Sequence, residues 1–200
     1  MTENPASGRE SSRTGVRSPV WGIFLVGFMG TGKTSVGRAL ADQLGWNFFD
    51  LDERIEAREG LSVPAIFREH GERGFREREH SALRALLEER SGLEPIVVAL
   101  GGGAFVQPEN VRLLSVAGRS SVFLDAPVEE LWERCLAPGE PERPLRTDPA
   151  QFRALYEKRR THYMQATVRL ETAGKSVQQT VQEVIENLGL QRVANKETTE

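Results

Sequence analysis

A glycine-rich stretch, Gly27 to Thr34 ("GFMGTGKT"), constrains the fold of this chain more than any other feature. It matches the phosphate-binding pattern G-x-x-x-x-G-K-S/T, it follows an apolar run and it opens an amphipathic segment, as the pattern requires. The backbone amides of such a loop and of the helix behind it present a ring of donors to phosphate oxygens. The alternative is a plain glycine-rich turn, but a chance match in 200 residues is on the order of 1% at average residue frequencies. We therefore predict a nucleotide phosphate site.

Each polar residue of this loop has an expected task. Lys33 supplies a positive charge to the phosphates, and Thr34 supplies a hydroxyl ligand to Mg²⁺. The ATP-binding residues predicted from the loop are Gly27, Gly30, Thr31, Gly32, Lys33, Thr34 and Ser35. Because the later strand that runs into "IVVALGGG" carries no acid, the second metal ligand is expected at Asp50, which ends the second predicted strand.

Apolar runs alternate with helical patterns along the chain, which is typical of a parallel sheet with crossover helices. The predicted strands are Gly22–Val26, Asn47–Phe49, Ile96–Leu100, Ser121–Leu124 and Val168–Leu170. The predicted helices include Lys33–Leu44, Phe75–Arg90, Pro108–Val116, Pro127–Cys135, one capped by Asp148 and one between Ser176 and Gly189. Helices on both faces of five strands make a three-layer α/β domain, in which ligands bind at the carboxyl ends of the strands.

Length and composition indicate one domain between two polar ends. The chain has 200 residues, 38% hydrophobic content and a net charge of −3, enough for a core but without a broad surface for nucleic acid. We expect a disordered tail over 1–20, a folded domain over 21–190 and a loose tail over 191–200. The apolar run 20–30 is too short to span a membrane and no cleavage site follows it. Since the lone Cys135 also fits a reducing compartment, we expect a cytoplasmic protein.

Three consecutive glycines, Gly101 to Gly103, close the third predicted strand. Glycine loses much backbone entropy on folding, so a run of three indicates a structural requirement. Either backbone amides approach a ligand closely at this point, or the chain makes a tight turn.

One arginine lies on an apolar helical stripe. Arg159 shares its stripe with Phe152, Leu155, Tyr156 and Tyr163. A guanidinium group that faces inward needs an anionic partner. Arg159 therefore either pairs with a protein carboxylate or binds the anionic group of a ligand.

Two aspartates follow two phenylalanines in "FFDLDERI", residues 48 to 55. If the strand continues, Asp50 and Asp52 point to the same face and need a positive partner. Alternatively, Asp52 caps a helix that begins at "ERIEA". Further along, Arg76 and Glu79 are three residues apart on one helix and can pair, which alone indicates only a solvated salt bridge.

Six segments, taken in order, resemble the shikimate kinase family. They are Gly27–Thr34, "FFDLD" at 48–52, "GFR" at 74–76, "GGG" at 101–103, "RPL" at 143–145 and "KRRTHY" at 158–163. The resemblance runs from about Trp21 to Leu188. It implies the P-loop kinase fold, with five parallel strands in the order 2-3-1-4-5 flanked by helices and a mobile lid at about 134–148. It also implies transfer of the γ-phosphoryl group of ATP to the 3-hydroxyl of shikimate, a step toward chorismate and the aromatic amino acids.

The resemblance implies a role for each site residue. Thr34 and Asp50 would hold Mg²⁺, and Lys33, Asp52 and Arg143 would be the catalytic residues. The residues that would contact shikimate are Asp52, Arg76, Gly101, Gly102, Gly103, Arg159, Phe67 and Phe75. Besides the loop, the residues that would contact ATP are Arg134, Arg143 and Lys175. We expect a monomer that acts on shikimate and ATP, with neither a nucleic-acid nor a membrane partner.

Other functions fit parts of the sequence. A different small-molecule P-loop kinase, such as a gluconate-kinase-like enzyme, shares the loop and the fold but does not need Arg76 and Arg159 to converge with the glycines. A non-catalytic, kinase-like sensing domain is usually attached to a DNA-binding module, for which the 20 polar N-terminal residues are too short. A P-loop ATPase that acts on macromolecules is disfavoured by the missing acid after "IVVAL" and by the lack of a second domain.

Overall fold

The computed structural model describes residues 20–91, 94–136 and 148–190. The strands in this part of the chain are β1 (Gly22–Val26), β2 (Asn47–Asp50), β3 (Ile96–Ala99), β4 (Ser120–Asp125) and β5 (Val168–Glu171). They form one sheet in the order β2-β3-β1-β4-β5, and all four pairings are parallel. The predicted topology is confirmed, and every predicted strand is right to within one residue at each end.

Helices cover both faces of this sheet. They are α1 (Lys33–Leu44), α2 (Leu51–Glu59), α3 (Val63–Glu89), α4 (Pro108–Val116), α5 (Val128–Leu136), α6 (Pro149–Tyr163) and α7 (Val177–Leu188). A short 3₁₀ helix, Ala104–Val106, lies between β3 and α4. In the described ranges, every helix is too short or too polar to cross a bilayer. The predicted tails and most of the predicted lid, with Arg143, lie outside the described residues.

Alternate side chains of the central strand divide the core between the two faces of the sheet. Ile23 and Leu25 pack under α1 and α7, whereas Phe24 and Val26 pack under α2 to α6. Burial on both faces explains why the strands are continuous apolar runs rather than alternating ones. The result is the predicted three-layer α/β domain.

The predicted helix ends are confirmed where capping residues mark them. The carboxylate of Asp148 accepts from the amide of Ala150 at 2.8 Å, at the start of α6. Ser176 and Gln179 form a reciprocal capping box at the start of α7. Gly189 ends α7 in the left-handed conformation, with φ of 63°.

Two helical segments were not among the predicted helices, although a helix beginning at "ERIEA" was one of the two alternatives for Asp52. The short helix α2 has only Leu51 and Ile55 buried, and its charged remainder gives no apolar stripe. The prediction that a helix begins at Phe75 was wrong, because α3 already begins at Val63 after the cap residue Ser62. The backbone of α3 is interrupted at Gly71, with φ of 67° and ψ of −178°. That interruption and the polar stretch around it hide the first part of the helix from a periodicity argument.

A buried aspartate at the end of β4 ties α6 to the edge of the sheet. Asp125 Oδ2 accepts from Nη2 of Arg160 at 2.7 Å and from Nη2 of Arg169 at 2.9 Å. Its Oδ1 accepts from the hydroxyl of Tyr156 at 3.1 Å. Because Arg169 lies on β5 and the other two residues lie on α6, one carboxylate fixes the helix against the last strand.

Candidate active site

The loop after β1 is shaped by its glycines and by its own hydrogen bonds. Gly27, Gly30 and Gly32 have φ of 147°, 80° and 81°, in the range that side chains with a Cβ rarely adopt. A Cβ at Gly27 would also lie 2.7 Å from the carbonyl oxygen of Leu124. The hydroxyl of Thr31 donates to the carbonyl of Phe28 at 2.9 Å. These constraints fix the predicted phosphate loop at the carboxyl end of β1.

Helix α1 starts at this loop and has no side-chain cap. Its N-cap residue is Gly32, so its first amides have no side-chain acceptor and suit an anionic ligand. Nζ of Lys33 donates to the carbonyls of Gly27 and Phe28 at 3.1 and 2.8 Å, which keeps the charge over the loop. Ser35 follows on the exposed side of the helix. The ATP-binding residues predicted from the loop thus lie together, in the turn after β1 and at the start of α1.

The two predicted metal ligands meet beside the loop. The hydroxyl of Thr34 donates to Oδ2 of Asp50 at 2.8 Å. Hydroxyl and carboxylate oxygens are the hard ligands that Mg²⁺ prefers, and it usually takes few protein ligands besides water and phosphate oxygens. The residues present therefore fit Mg²⁺ bound together with a nucleotide, and in the described ranges no cluster of three or more acidic, His or Cys side chains offers another site.

Asp52 does not lie in a strand, so the prediction that Asp50 and Asp52 share a strand face was wrong. β2 ends at Asp50, and Asp52 lies in the first turn of α2. The helix cap is Asp50 rather than Asp52, because Oδ1 of Asp50 accepts from the amide of Asp52 at 3.0 Å. Asp50 thus has one oxygen on the helix end and the other on Thr34, while the carboxylate of Asp52 is left to face the glycine triplet.

The glycine triplet is required because side chains of the protein lie against it. A Cβ at Gly101 would lie 2.6 Å from Oδ1 of Asp52 and 2.8 Å from Oε1 of Glu79. A Cβ at Gly103 would overlap the guanidinium group of Arg76. The sequence offered two explanations for the three glycines, close approach of a ligand or a tight turn, and the structure adds a third explanation. Glycine here lets three ionisable side chains come to the backbone after β3.

Arg76 is anchored by acids on its own helix and by two aromatic rings. Its Nη1 pairs with Oε2 of Glu79 at 2.7 Å, and its Nη2 lies 3.4 Å from Glu72. The rings of Phe67 and Phe75 stack at 4.4 Å, and the guanidinium carbon lies 5.9 and 5.2 Å from their centres. Phe75 is buried, so it supports Phe67 and Arg76 from behind. The Arg76–Glu79 pair is thus part of the site and not a solvated salt bridge.

Arg159 approaches the same turn from α6. Its Nη1 lies 3.5 Å from the position of a Cβ on Gly102, and its guanidinium carbon lies 5.9 Å from the ring centre of Phe28. Among the described residues it forms no ion pair. Burial lowers the pKa of Arg159, and the nearby Tyr163 opposes that shift. Of the two alternatives from the sequence, these observations favour a ligand anion.

Two residues of this site were not given a role by the sequence. Glu79 is fully buried, and burial raises its pKa from 4.5 to about 7, with Arg76 opposing the shift. Gln107 donates from Nε2 to Oε2 of Glu79 at 2.6 Å. The position of Glu79 on the apolar stripe of α3 was a signal that its carboxylate faces inward. No sequence pattern pointed to Gln107, which follows the 3₁₀ helix.

The remaining predicted ATP contacts lie at different places. Arg134 donates to the carbonyl of Gly30 at 3.4 Å and pairs with Glu130, so it lies against the phosphate loop. Nζ of Lys175, in the turn before α7, pairs with Glu183 at 2.7 Å. The structure thus brings Arg134 to the phosphate loop, while the contacts of Lys175 lie on α7.

Residues 29–189 match the family model of shikimate kinases. A shikimate kinase of Persephonella marina is 42% identical over 164 residues, which make up 82% of this chain and 96% of that protein. The chain belongs to the shikimate kinase family. The family resemblance of its sequence motifs is therefore confirmed.

Solved structures agree with this assignment. The shikimate kinase from Acinetobacter baumannii in complex with shikimate matches with a TM-score of 0.76 and 35% identity, over 84% of this chain and 93% of that one. A gluconokinase from Sinorhizobium meliloti matches with a TM-score of 0.57 and 21% identity, over 86% of this chain and 94% of that one. At that identity the second likeness shows a common fold and says nothing about a common substrate.

Proposed function

We propose that this member of the shikimate kinase family transfers the γ-phosphoryl group of ATP to the 3-hydroxyl of shikimate. One observation carries the proposal. Arg76 and Arg159 come from α3 and α6 to the same glycine turn, next to the phosphate loop. A small hydroxylated acid needs such a carboxylate site beside the phosphate donor, whereas a neutral sugar or a polyol does not.

The arginines would bind the carboxylate of shikimate. A guanidinium group offers planar pairs of donors that match a carboxylate. Arg159 supplies a charge that has no ion pair among the described residues, and Arg76 supplies one whose orientation is set by Glu79. Gly102 lies beside Arg159 and precedes Gly103, which contacts Arg76, and its lack of a side chain would leave room for a ligand. Phe67 would form a wall for the ring, supported by the stacked ring of Phe75.

Asp52 would orient the hydroxyl that is phosphorylated and accept its proton. Phosphoryl transfer has a loose transition state, so position and charge matter more than the strength of the base. The start of α2 holds Asp52 two residues after the metal ligand Asp50. That spacing would place the acceptor hydroxyl next to the phosphate that is transferred.

The phosphate side would be formed by the loop and by α1. Lys33 and the uncapped amides of α1 would bind phosphate oxygens, and Thr34 and Asp50 would hold Mg²⁺. When bound, Mg²⁺ would neutralise charge that develops on the phosphates. Arg134, whose guanidinium donates to the carbonyl of Gly30, would add a further positive charge beside the phosphate loop. Arg143 would complete the site from the lid and help to exclude water.

Turnover with a panel of acceptors tests the proposal. ADP release is measured with ATP and Mg²⁺ in the presence of shikimate, quinate, gluconate or nucleosides. We expect release with shikimate at a kcat/KM at least about 10²-fold above the nucleosides, which have no carboxylate and would leave the two arginines unpaired. Quinate and gluconate do carry a carboxylate, so a lower kcat/KM with them would report the fit of the rest of the molecule to the site. Phosphorus NMR of the product is expected to place the phosphate on the 3-oxygen. Release with gluconate but not with shikimate would refute the proposal, and binding of shikimate without any ADP release would favour a sensing domain.

A further inference from the structure

Gln107 lies where the glycine turn leads into α4, and its side chain reaches across to α3. Its Nε2 donates to Oε2 of Glu79 at 2.6 Å. The same oxygen accepts from Nη1 of Arg76 at 2.7 Å. The other oxygen of Glu79, Oε1, has no hydrogen-bond partner among the described residues, although the side chain is 0% exposed. In that part of the chain this buried carboxylate therefore has two donors, one from Gln107 and one from Arg76.

We infer that Gln107 is a positioning residue of the acceptor site, which holds Glu79 so that the guanidinium of Arg76 faces the carboxylate of the acceptor. This inference rests on the function proposed above and extends it to a residue that does not touch the substrate. Gln107 acts through Glu79, and Glu79 acts through Arg76.

The orientation of Arg76 depends on Glu79 because its other acid partner is weak. Glu72 is 71% exposed and lies 3.4 Å from Nη2, and exposed pairs of this kind contribute little. The pair with Glu79 is shorter and its acid is fully buried. The carboxylate of Glu79 can rotate about its own side chain unless a second group fixes it, and Gln107 is the group that does so.

A neutral donor at position 107 suits the charges around Glu79. The charged and titratable groups near Glu79 are Arg76 and Glu72 on α3, Asp52 on α2, and Arg159 and Tyr163 on α6. Burial raises the pKa of Glu79 to about 7, so its ionised form needs support from donors. An amide supplies a donor and adds no charge. A second acid at this position would instead have to share a proton with Glu79.

Two variants test the inference by the dissociation constant of shikimate, measured calorimetrically with the full chain. Gln107→Leu removes the donor at similar size, and we expect shikimate to bind about 5- to 10-fold more weakly, which is the usual effect of one lost hydrogen bond. ATP affinity and kcat are expected to stay within about 2-fold of the wild type, because the phosphate side is untouched. An unchanged shikimate affinity in this variant would overturn the inference.

Gln107→Glu adds a pH profile that a role in packing alone would not produce. Below about pH 6 the two acids share a proton, the hydrogen bond persists and affinity stays close to that of the wild type. The second acid raises the pKa of Glu79 further, so the shared proton is lost only as the pH rises from about 7 to about 9. The acids then repel, and shikimate binding weakens relative to the wild type at each pH. A constant ratio across this range would overturn the inference. This variant keeps the shape of the side chain, so it also serves if the leucine variant does not fold.

His80→Ala is the matched control. Nδ1 of His80 lies 2.7 Å from Oδ1 of Asn110, so this pair joins α3 to α4 as Gln107 does, but without contact to Arg76. We expect lower thermal stability with shikimate affinity within about 2-fold of the wild type. If His80→Ala reproduced the loss seen in Gln107→Leu, the effect would belong to helix docking and the inference would fail. If the wild type itself neither bound nor phosphorylated shikimate, the proposed function would fail first.

Discussion

The guanidinium group of Arg76 occupies the space that a side chain on Gly103 would need. Neither residue would show this contact from its own position in the sequence, since 26 residues of chain lie between them. The contact couples the path of the backbone after β3 to the orientation of a charge on α3.

Alanine at each position of the glycine triplet is expected to produce a different defect. None of the three glycines has a positive φ, so the backbone tolerates alanine at each. Gly103→Ala displaces Arg76, and we expect shikimate KM to rise about 10- to 100-fold with ATP KM unchanged. Gly101→Ala displaces Asp52 and Glu79, so kcat is expected to fall as well.

Gly102→Ala is the informative member of this series. Its Cβ would make only ordinary van der Waals contacts with the protein, the nearest at 3.5 Å to Nη1 of Arg159. The variant should therefore fold as well as the wild type by thermal melting, and any loss of shikimate affinity reports a ligand that fills this space. Wild-type affinity in Gly102→Ala would mean that shikimate does not approach this glycine.

Neighbouring arginines on α6 are expected to differ in what they stabilise. Arg159→Ala removes a charge with no ion pair in the described structure, so shikimate binding should weaken by about 1.5–3 kcal/mol per lost charged hydrogen bond. Its unfolding free energy should hardly change, because a desolvation cost disappears with the charge. Arg160→Ala breaks the pair with the buried Asp125, so it should lower the melting temperature and leave shikimate KM alone. If Arg159→Ala lowered the melting temperature and Arg160→Ala weakened shikimate binding, the assignment of binding to Arg159 and of stability to Arg160 would be wrong.

Asp52→Asn is expected to lower kcat by about 10²–10⁴-fold, because an amide neither accepts the proton nor orients the hydroxyl in the same way. The helix itself is capped by Asp50, so the fold should be intact by circular dichroism. Glu53→Gln is the control, since Glu53 lies in the same turn but pairs with Arg38 at the surface. Equal turnover in the Asp52 and Glu53 variants would exclude Asp52 from the chemistry.

The buried acid Glu79 is expected to make stability depend on pH. Its pKa is raised from 4.5 to about 7 by burial. Between these two pH values the folded state therefore holds a proton on Glu79 that the unfolded state releases. The resulting stability is fully present below about pH 4.5 and is lost as the pH rises through about 7, with a loss on the order of 3 kcal/mol.

Urea unfolding of Glu79→Gln at several pH values measures how much of the pH dependence of the unfolding free energy comes from Glu79. Between about pH 5 and about pH 8 its unfolding free energy should fall less than that of the wild type, because glutamine does not titrate. Glu72→Gln is the matched control, since Glu72 also pairs with Arg76 but is largely exposed. A pH dependence in Glu79→Gln that is as steep as that of the wild type would show that Glu79 is ionised throughout.

The sequence predicted the sheet and the phosphate loop well because both depend on local patterns. Each strand is a short apolar run between turn residues, and the loop is a continuous motif with required glycines at Gly27 and Gly32. The strand-face argument for Asp50 and Asp52 failed for a physical reason. The strand stops at Asp50 because its own carboxylate caps α2, so spacing by two no longer means a common face.

Contacts between distant segments were beyond local patterns. Gln107 and Glu79 meet only because the turn after β3 passes over α3. The need for glycine at 101 and 103 could not be predicted either, because it comes from side chains of distant segments, Asp52, Glu79 and Arg76, that lie against these positions. Arg159 was the exception, because an arginine on an apolar stripe is visible from helical periodicity alone.

The pairing of Asp125 with Arg160 also bears on which changes in length the chain can accept. Successive residues of a helix point about 100° apart, so Arg159 faces the glycine turn while Arg160 faces the sheet edge. A single residue inserted or deleted within α6 would rotate one of these guanidinium groups out of place. It would take Arg160 away from Asp125, which would keep only its pair with Arg169, or it would take Arg159 away from the turn. Sequence variants of this enzyme should therefore differ in length before Pro149 and not between Pro149 and Tyr163.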